Sequence, residues 1–256
     1  MRAPLMLGLA LLLASVPAHA QKVAPDTTDQ GPEIPKAQVT IELDGGTKAT
    51  CNEHAAQPFL IRKNWFARQK EKDGNAFANE SLKKAIDYRT EKYGHFPGYG
   101  DGRLNKFAPA HYAKSVSFMG LTLQVNERII PALKCVEAAL KATKVGDEYH
   151  PRSIGGIRFK NTYRGSEISN HVYGIAIDIE SDRNTCCSCV DPWPNHPLCK
   201  KKVASIYERM AMPRSWVVVF ERYGFYWLGH DALQDTMHFE YLGDPDKILK
   251  GKSDEG

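Results

Sequence analysis

Ser169-Asn170-His171-Val172-Tyr173-Gly174-Ile175-Ala176-Ile177-Asp178 is the stretch on which the reading of this chain turns. It sets an imidazole ahead of an apolar run, and the run ends on a carboxylate. A charge entering a buried strand is costly unless it is paired or bound to a metal, so Asp178 needs a partner. Taken alone, a His-x6-Asp spacing is common and normally structural. A second cluster, Asp235-Thr236-Met237-His238-Phe239-Glu240, offers what the first lacks. Residues 236–242 alternate cleanly, with Met237, Phe239 and Tyr241 on one face and Thr236, His238 and Glu240 on the other, the period of a strand. Two imidazoles and one carboxylate are a normal ligand set for catalytic zinc with an open fourth position. Such an ion brings the pKa of a bound water toward neutrality and polarises a carbonyl, and a second carboxylate must then take the water's proton. Asp235, just ahead of His238, is placed for that. The chain has no His-Glu-x-x-His helix and no Gly-x-Ser-x-Gly elbow, so the commoner metalloprotease and serine-hydrolase patterns are excluded.

Outward from these clusters, short strands and helices intermix without a regular βαβ rhythm. Residues 38–43, 154–159 and 172–179 read as strands, and 81–92 as a helix. Residues 125–143 carry Val125, Ile129, Leu133, Val136 and Leu140 at helical spacing, with Pro131 expected to kink that helix or mark its true start. Residues 203–210 and 215–222 are short helix candidates, and the run 217–220 reads equally as strand. The segment 93–102 (YGHFPGYGDG) is a loop; its G-x-G-x-G follows no strand, so it is no phosphate loop. The pattern predicts α+β with a small, mostly antiparallel sheet flanked by helices.

The chain has 256 residues, a formal charge of +4 and 42% hydrophobic residues, values of a globular protein rather than a disordered or membrane-embedded one. Arg2, an apolar run over residues 6–14 and Ala18-His19-Ala20 have the layout of a secretory signal peptide, with cleavage expected before Gln21 and no span left afterwards. Its removal takes away Arg2 and no acid, leaving +3. The bases are scattered, which argues against a nucleic-acid partner. Export favours disulfides for the six cysteines, with Cys51–Cys135 the expected long-range pair because the other four cluster. Cys186-x-x-Cys189 followed by His196 and Cys199 could instead be a zinc knuckle.

Both motifs resemble a known family. S-N-H-V-Y-G-I-A-I-D is similar to the S-x-H-x-x-G-x-A-x-D motif of zinc D-Ala-D-Ala carboxypeptidases and L-alanyl-D-glutamate endopeptidases, the VanY-like family. G-F-Y-W-L-G-H-D-A-L-Q-D-T-M-H-F-E resembles its G-F-x-W-G-G-x-W…D-x-M-H-F-E ending. The likeness covers residues 116–243. It implies the hedgehog-type zinc fold, with the metal in a surface cleft, one zinc ion on His171, Asp178 and His238, and a general base at Asp235. It also implies an arginine ahead of the first histidine to hold the substrate carbonyl or the oxyanion: Arg164, with Arg158 as rival. Glu240 would orient a ligand from behind, or serve only the sheet surface. Ser169 is a substrate-side candidate or merely braces the loop into His171.

The chain departs from the family pattern in two places. Leu228-Gly229-His230 replaces Gly-Gly-x-Trp, so His230 is a substrate contact, a proton carrier or a surface residue. Residues 181–202 form a Cys-rich insertion, expected to be a disulfide-pinned lid over the cleft. The implied partners are peptidoglycan stem or cross-link peptides, and the implied location is periplasmic or extracellular. The resemblance leaves carboxypeptidase and endopeptidase action open, and a non-catalytic zinc-containing binding module, as in the hedgehog signalling domain, is the alternative. The remaining segments read as a flexible leader (21–50), an extension or subdomain without a motif (51–115) and a polar tail (244–256).

Overall fold

The structure, a computed structural model, describes residues 32–61, 75–162, 168–189, 193–231 and 233–250, with no side chains described for 75–79. The signal-peptide reading and Arg164 lie outside the described residues. Among the described residues no helix is long and apolar enough to cross a membrane.

Among the described residues the architecture is α+β with three small antiparallel sheets. Strands β1 (Thr40–Glu42) and β2 (Lys48–Thr50) form a hairpin. Helix α1 spans Asn75–Tyr93. Strands β3 (Ala113–Phe118) and β4 (Leu121–Asn126) form a second hairpin, turned by Met119 and Gly120 at φ of 50° and 81°. Two consecutive positive φ values suit the twist of such a tight hairpin. Helix α2 spans Ile130–Ala142 and buries Leu133, Val136 and Leu140.

The helix expected over 125–143 therefore begins later. Val125 belongs to β4, and Ile129 sits in a 3-10 turn, Glu127–Ile129. Both face the core, so an inward strand position continued the helical spacing by coincidence. Pro131 marks the true start, in the first turn, where its missing N–H costs nothing.

The central sheet runs β5-β6-β8-β7, with β5 Ile154–Gly155, β6 Ala176–Ile179, β7 Phe225–Trp227 and β8 His238–Tyr241. The strands expected at 154–159 and 172–179 are thus both shorter than expected; the second begins late because residues 171–174 form a turn. Helix α3 (Pro197–Lys200) lies within the Cys-rich insertion. Residues 203–210 hold only a 3-10 turn, Ile206–Arg209. Helix α4, Arg214–Arg222, takes up the ambiguous run at 217–220.

One face of the central sheet packs against α2 and α4 through Ile177, Ile179, Phe239 and Tyr241. Phe220 of α4 stacks on Phe239 at 4.3 Å. Alternation then turns Asp178, His238 and Glu240 to the opposite face. There a smaller apolar cluster joins Ala85 and Tyr88 of α1 with Leu60, Tyr226, Leu228 and Leu242.

The N-terminal segments share the same core. Ile34, Val39, Ile41 and Tyr93 are buried with residues of α2 and the sheet. Cys51 is bonded to Cys135 of α2; closing so long a loop stabilises by about 4–5 kcal/mol in the chain-entropy picture. Residues 244–250, expected as part of a polar tail, return to the body. Ile248 is buried, and Cys51 bridges Leu249. An apolar Ile-Leu pair beside an unpaired strand end accounts for this.

Candidate metal centre

Asp178 and His238 are direct cross-strand partners in β6 and β8. The pairing places a carboxylate and an imidazole side by side on one face of the sheet, with Asp178 Oδ1 2.8 Å from His238 Nδ1. His171 comes from the turn before β6, and its Nε2 lies 3.2 Å from both His238 Nδ1 and Asp178 Oδ2. The three ligand atoms lie within 4.8 Å of one another.

That turn has its own reasons. The Ile175 N–H donates to Asn170 O and the Gly174 N–H to His171 O. Gly174 has φ +70°, and a Cβ there would stand 2.8 Å from Asn126 N, so the motif's glycine answers both strain and close approach. Asn126, buried at the end of β4, receives this turn. Its N–H donates to Gly174 O, and its side-chain amide donates to Tyr93 O and Tyr173 O. The Ser169 Oγ accepts from the His171 N–H at 3.4 Å. Ser169 is buried and braces this loop rather than facing the cleft.

Each imidazole is held from its far side. His171 Nδ1 donates to Gly156 O at 2.6 Å, which leaves Nε2 with a free lone pair. Burial holds the His171 pKa down, so the neutral, ligating form is favoured. His238 Nε2 lies 3.2 Å from Glu240 Oε1. Burial opposes charge on His238, but the carboxylates of Asp178 and Glu240 outweigh it and push its pKa up to about 10. Burial likewise opposes ionisation of Asp178, yet the two histidines hold its carboxyl well below the usual range.

The donor set fits zinc. Bonds of about 2.0–2.2 Å in a tetrahedron require ligand atoms about 3.3 Å apart; the two ring nitrogens here are 3.2 Å apart, and Asp178 stands 2.8 Å from His238 through Oδ1 and 3.2 Å from His171 through Oδ2. Outward-facing nitrogens bonded to a backbone carbonyl and a carboxylate are the usual support of metal-bound histidines.

A cleft of about 780 Å³ opens beside this group, lined among others by Arg158, Asp178, Trp193, Asp235, Met237 and His238. Asp235 is nearly buried, and its Oδ1 has no hydrogen-bond partner among the described residues. Burial pushes its carboxyl up to about 7; Asp178 adds to that shift and His238 opposes it. Arg158 is half-exposed in the cleft wall and donates from Nη2 to Asp178 Oδ2. His230 is not among the residues lining the cleft; it pairs with Glu221 at 3.0 Å and stands edge-on to Trp227.

The cysteines of the insertion are bonded 186–189 and 187–199. The zinc knuckle with His196 and Cys199 is therefore not formed. Both His196 ring nitrogens are engaged as well, with Asp182 O and the Leu198 N–H. Two contributors carried no sequence signal of their own, Asn126 and Arg89. Arg89 is buried in α1. Burial lowers its pKa while Tyr173 and Glu240 favour its charge, and it helps in turn to keep Glu240 ionised. A single arginine in a polar helix gives no hint of this.

Residues 163–241 match the family model described as D-alanyl-D-alanine carboxypeptidase. The match supports a VanY-like zinc peptidase family for this segment, a family that is typically zinc-dependent. The span contains His171, Asp178, Asp235 and His238. No curated protein and no solved structure matches the chain significantly.

Proposed function

We propose that the chain is an exported zinc metallopeptidase that hydrolyses a peptide bond in peptidoglycan stem or cross-link peptides. One observation carries the reading. The His171, Asp178 and His238 donors converge beside a cleft whose wall also holds a buried carboxylate, Asp235, with an unsatisfied oxygen. A non-catalytic metal module has no use for that costly second carboxylate.

His171, Asp178 and His238 would hold one zinc ion. When bound, zinc supplies a Lewis acid and brings the pKa of a water toward neutrality. Asp235, with its affinity for a proton raised by burial, takes a proton from the attacking water and returns it to the leaving amine. Arg158 stands at the cleft wall beside Asp178 and meets a substrate carbonyl or carboxylate there, a role that Arg164 contests. Glu240 keeps the His238 ring oriented by accepting from Nε2. The cleft's volume is within the range of small-ligand sites, and a few residues of peptide fill it. Trp193 and the Cys-rich segment form its outer wall.

Defined muropeptides incubated with the zinc-loaded protein, with and without a chelator, and analysed by mass spectrometry test this directly. Chelator-sensitive loss of a D-Ala or of a cross-link is expected. Stoichiometric zinc without cleavage of any muropeptide would replace the reading with a binding module.

A further inference from the structure

The cleft holds a second cluster of metal-ligating atoms. Sulfur from Cys186, sulfur from Cys189 and a carboxylate oxygen of Asp235 lie within 4.8 Å of one another. Cys186 bridges Asp235 in antiparallel fashion, and Cys189 Sγ stands 4.0 Å from Asp235 Oδ2. The Cys-x-x-Cys turn closes with the Cys189 N–H on Cys186 O, which brings both side chains to one side. This spacing and turn suit two thiolate ligands of one zinc ion, but the sulfurs are bonded to each other. We propose that Cys186, Cys189 and Asp235 form a second zinc site that is closed while the disulfide is intact and opens when a small dithiol reduces it.

Accessibility selects this disulfide. Cys51, Cys135, Cys187 and Cys199 are buried and do not line the cleft; Cys186 and Cys189 both line it, and of the two Cys186 is fully buried and Cys189 half-buried. The reductant's thiolate attacks Cys189 Sγ, the S–S bond breaks and Cys186 leaves as a thiolate. The reductant's second thiol then attacks the mixed disulfide and frees Cys189, so two electrons pass to the protein and the reductant becomes a cyclic disulfide. The freed sulfurs separate from bonding distance to about 3.7 Å, the edge of a tetrahedron with Zn–S bonds near 2.3 Å. The ion displaces the two thiol protons, and Asp235 supplies the third ligand through its carboxylate, of which Oδ2 stands toward Cys189 and Oδ1 has no partner among the described residues. The consequence that an occupied second site removes the base, and with it turnover, rests on the function proposed above; the site itself does not.

Cobalt(II) separates the two centres, because only a thiolate-ligated ion gives intense sulfur-to-cobalt charge-transfer absorption in the near ultraviolet. The full chain is loaded with cobalt before and after treatment with dithiothreitol, and alkylation mapping records which cysteines are free. One equivalent without the charge-transfer band is expected in the oxidised protein, and a second equivalent with it once Cys186 and Cys189 are free and the other pairs still bridged. In reduced C186S/C189S the second equivalent is absent. In reduced Asp235→Asn, which keeps both thiols, second-site affinity falls by about tenfold or more, the scale on which even outer partners of a ligand act. A reduced protein with Cys186 and Cys189 free and no band overturns the proposal, as does a band that survives in C186S/C189S or unchanged affinity in D235N. Loss of the band-free first equivalent alone counts against the proposed function and leaves the second site standing.

Discussion

Two donor clusters share one cleft and are built in opposite ways. His171, Asp178 and His238 sit on a turn and two paired strands, and each has its outward atoms tied down: His171 to Gly156 O, His238 to Glu240, Asp178 to Arg158. Cys186, Cys189 and Asp235 sit on loop and strand-edge backbone, with two donors consumed in a bond and the third holding an unpartnered oxygen. The first cluster was organised by the sheet and is ready for an ion. The second is conditional. Rigidity belongs where ligand geometry must be kept, while Asp235, the proposed base, is left poorly solvated with a raised affinity for a proton.

The largest break in this contrast is expected from His171→Ala. It removes one of three ligands from the organised cluster, so zinc content and cleavage are both lost; metal analysis after dialysis at neutral pH checks it, and an unchanged zinc content would sink the ligand assignment. Asp235→Asn comes next and should split the two clusters, with zinc retained and turnover lowered by about 10²–10⁴-fold, the usual range for a lost general base.

The same variant sharpens the contrast in stability. The carboxyl of Asp235 is raised to about 7 in the fold, chiefly by burial. Its ionisation therefore costs stability increasingly as pH rises from the ordinary aspartate range through about 7, and the cost is complete above that. In the metal-free protein Asp235→Asn is expected to raise Tm at pH 8, with the gain vanishing toward pH 4; scanning calorimetry across that window decides, and a gain that is largest at low pH would refute it.

A smaller effect is expected from Glu240→Gln. It keeps the shape of the residue behind His238 but removes the charge, so zinc affinity should fall by about 10–100-fold while the ligand count stays the same. Competition with a chromogenic chelator measures this. Gly174→Ala should act through the fold, with a loss of about 1–3 kcal/mol read by denaturant titration, because a Cβ meets Asn126 N at a positive φ. Stability equal to that of the parent chain would mean that the turn into His171 is more pliant than the sheet it feeds.

How much of this was legible depended on whether function was written in local spacing. The strand alternation in 236–242 puts His238 and Glu240 on one face, and the structure has them so. The glycine of the first motif was legible as punctuation, but its partner, Asn126, was not; the contact spans distant segments and leaves no periodic trace. The helix start was misread because Val125 and Ile129 are buried for reasons of strand and turn, and burial alone does not distinguish periods. The region from residue 21 to residue 115 had no readable motif. Its contribution is the packing of α1, with Arg89 and Tyr93, against the site face. The pairing of Cys51 with Cys135 followed from elimination among clustered cysteines, whereas the position of Cys189 beside Asp235 required the fold.

The register of β6 against β8 has a further consequence. Asp178 faces His238 because these two strands are aligned residue for residue. Side chains alternate, so a slip of one residue would bring Met237 or Phe239 to the position of His238 and turn the histidine into the aromatic core. A mispaired chain would therefore be unable to hold the ion, and an ion that binds only the aligned chain pulls the population toward it. A bound ion would thus act as a proofreader of the sheet, discriminating correct from slipped strands before any substrate arrives.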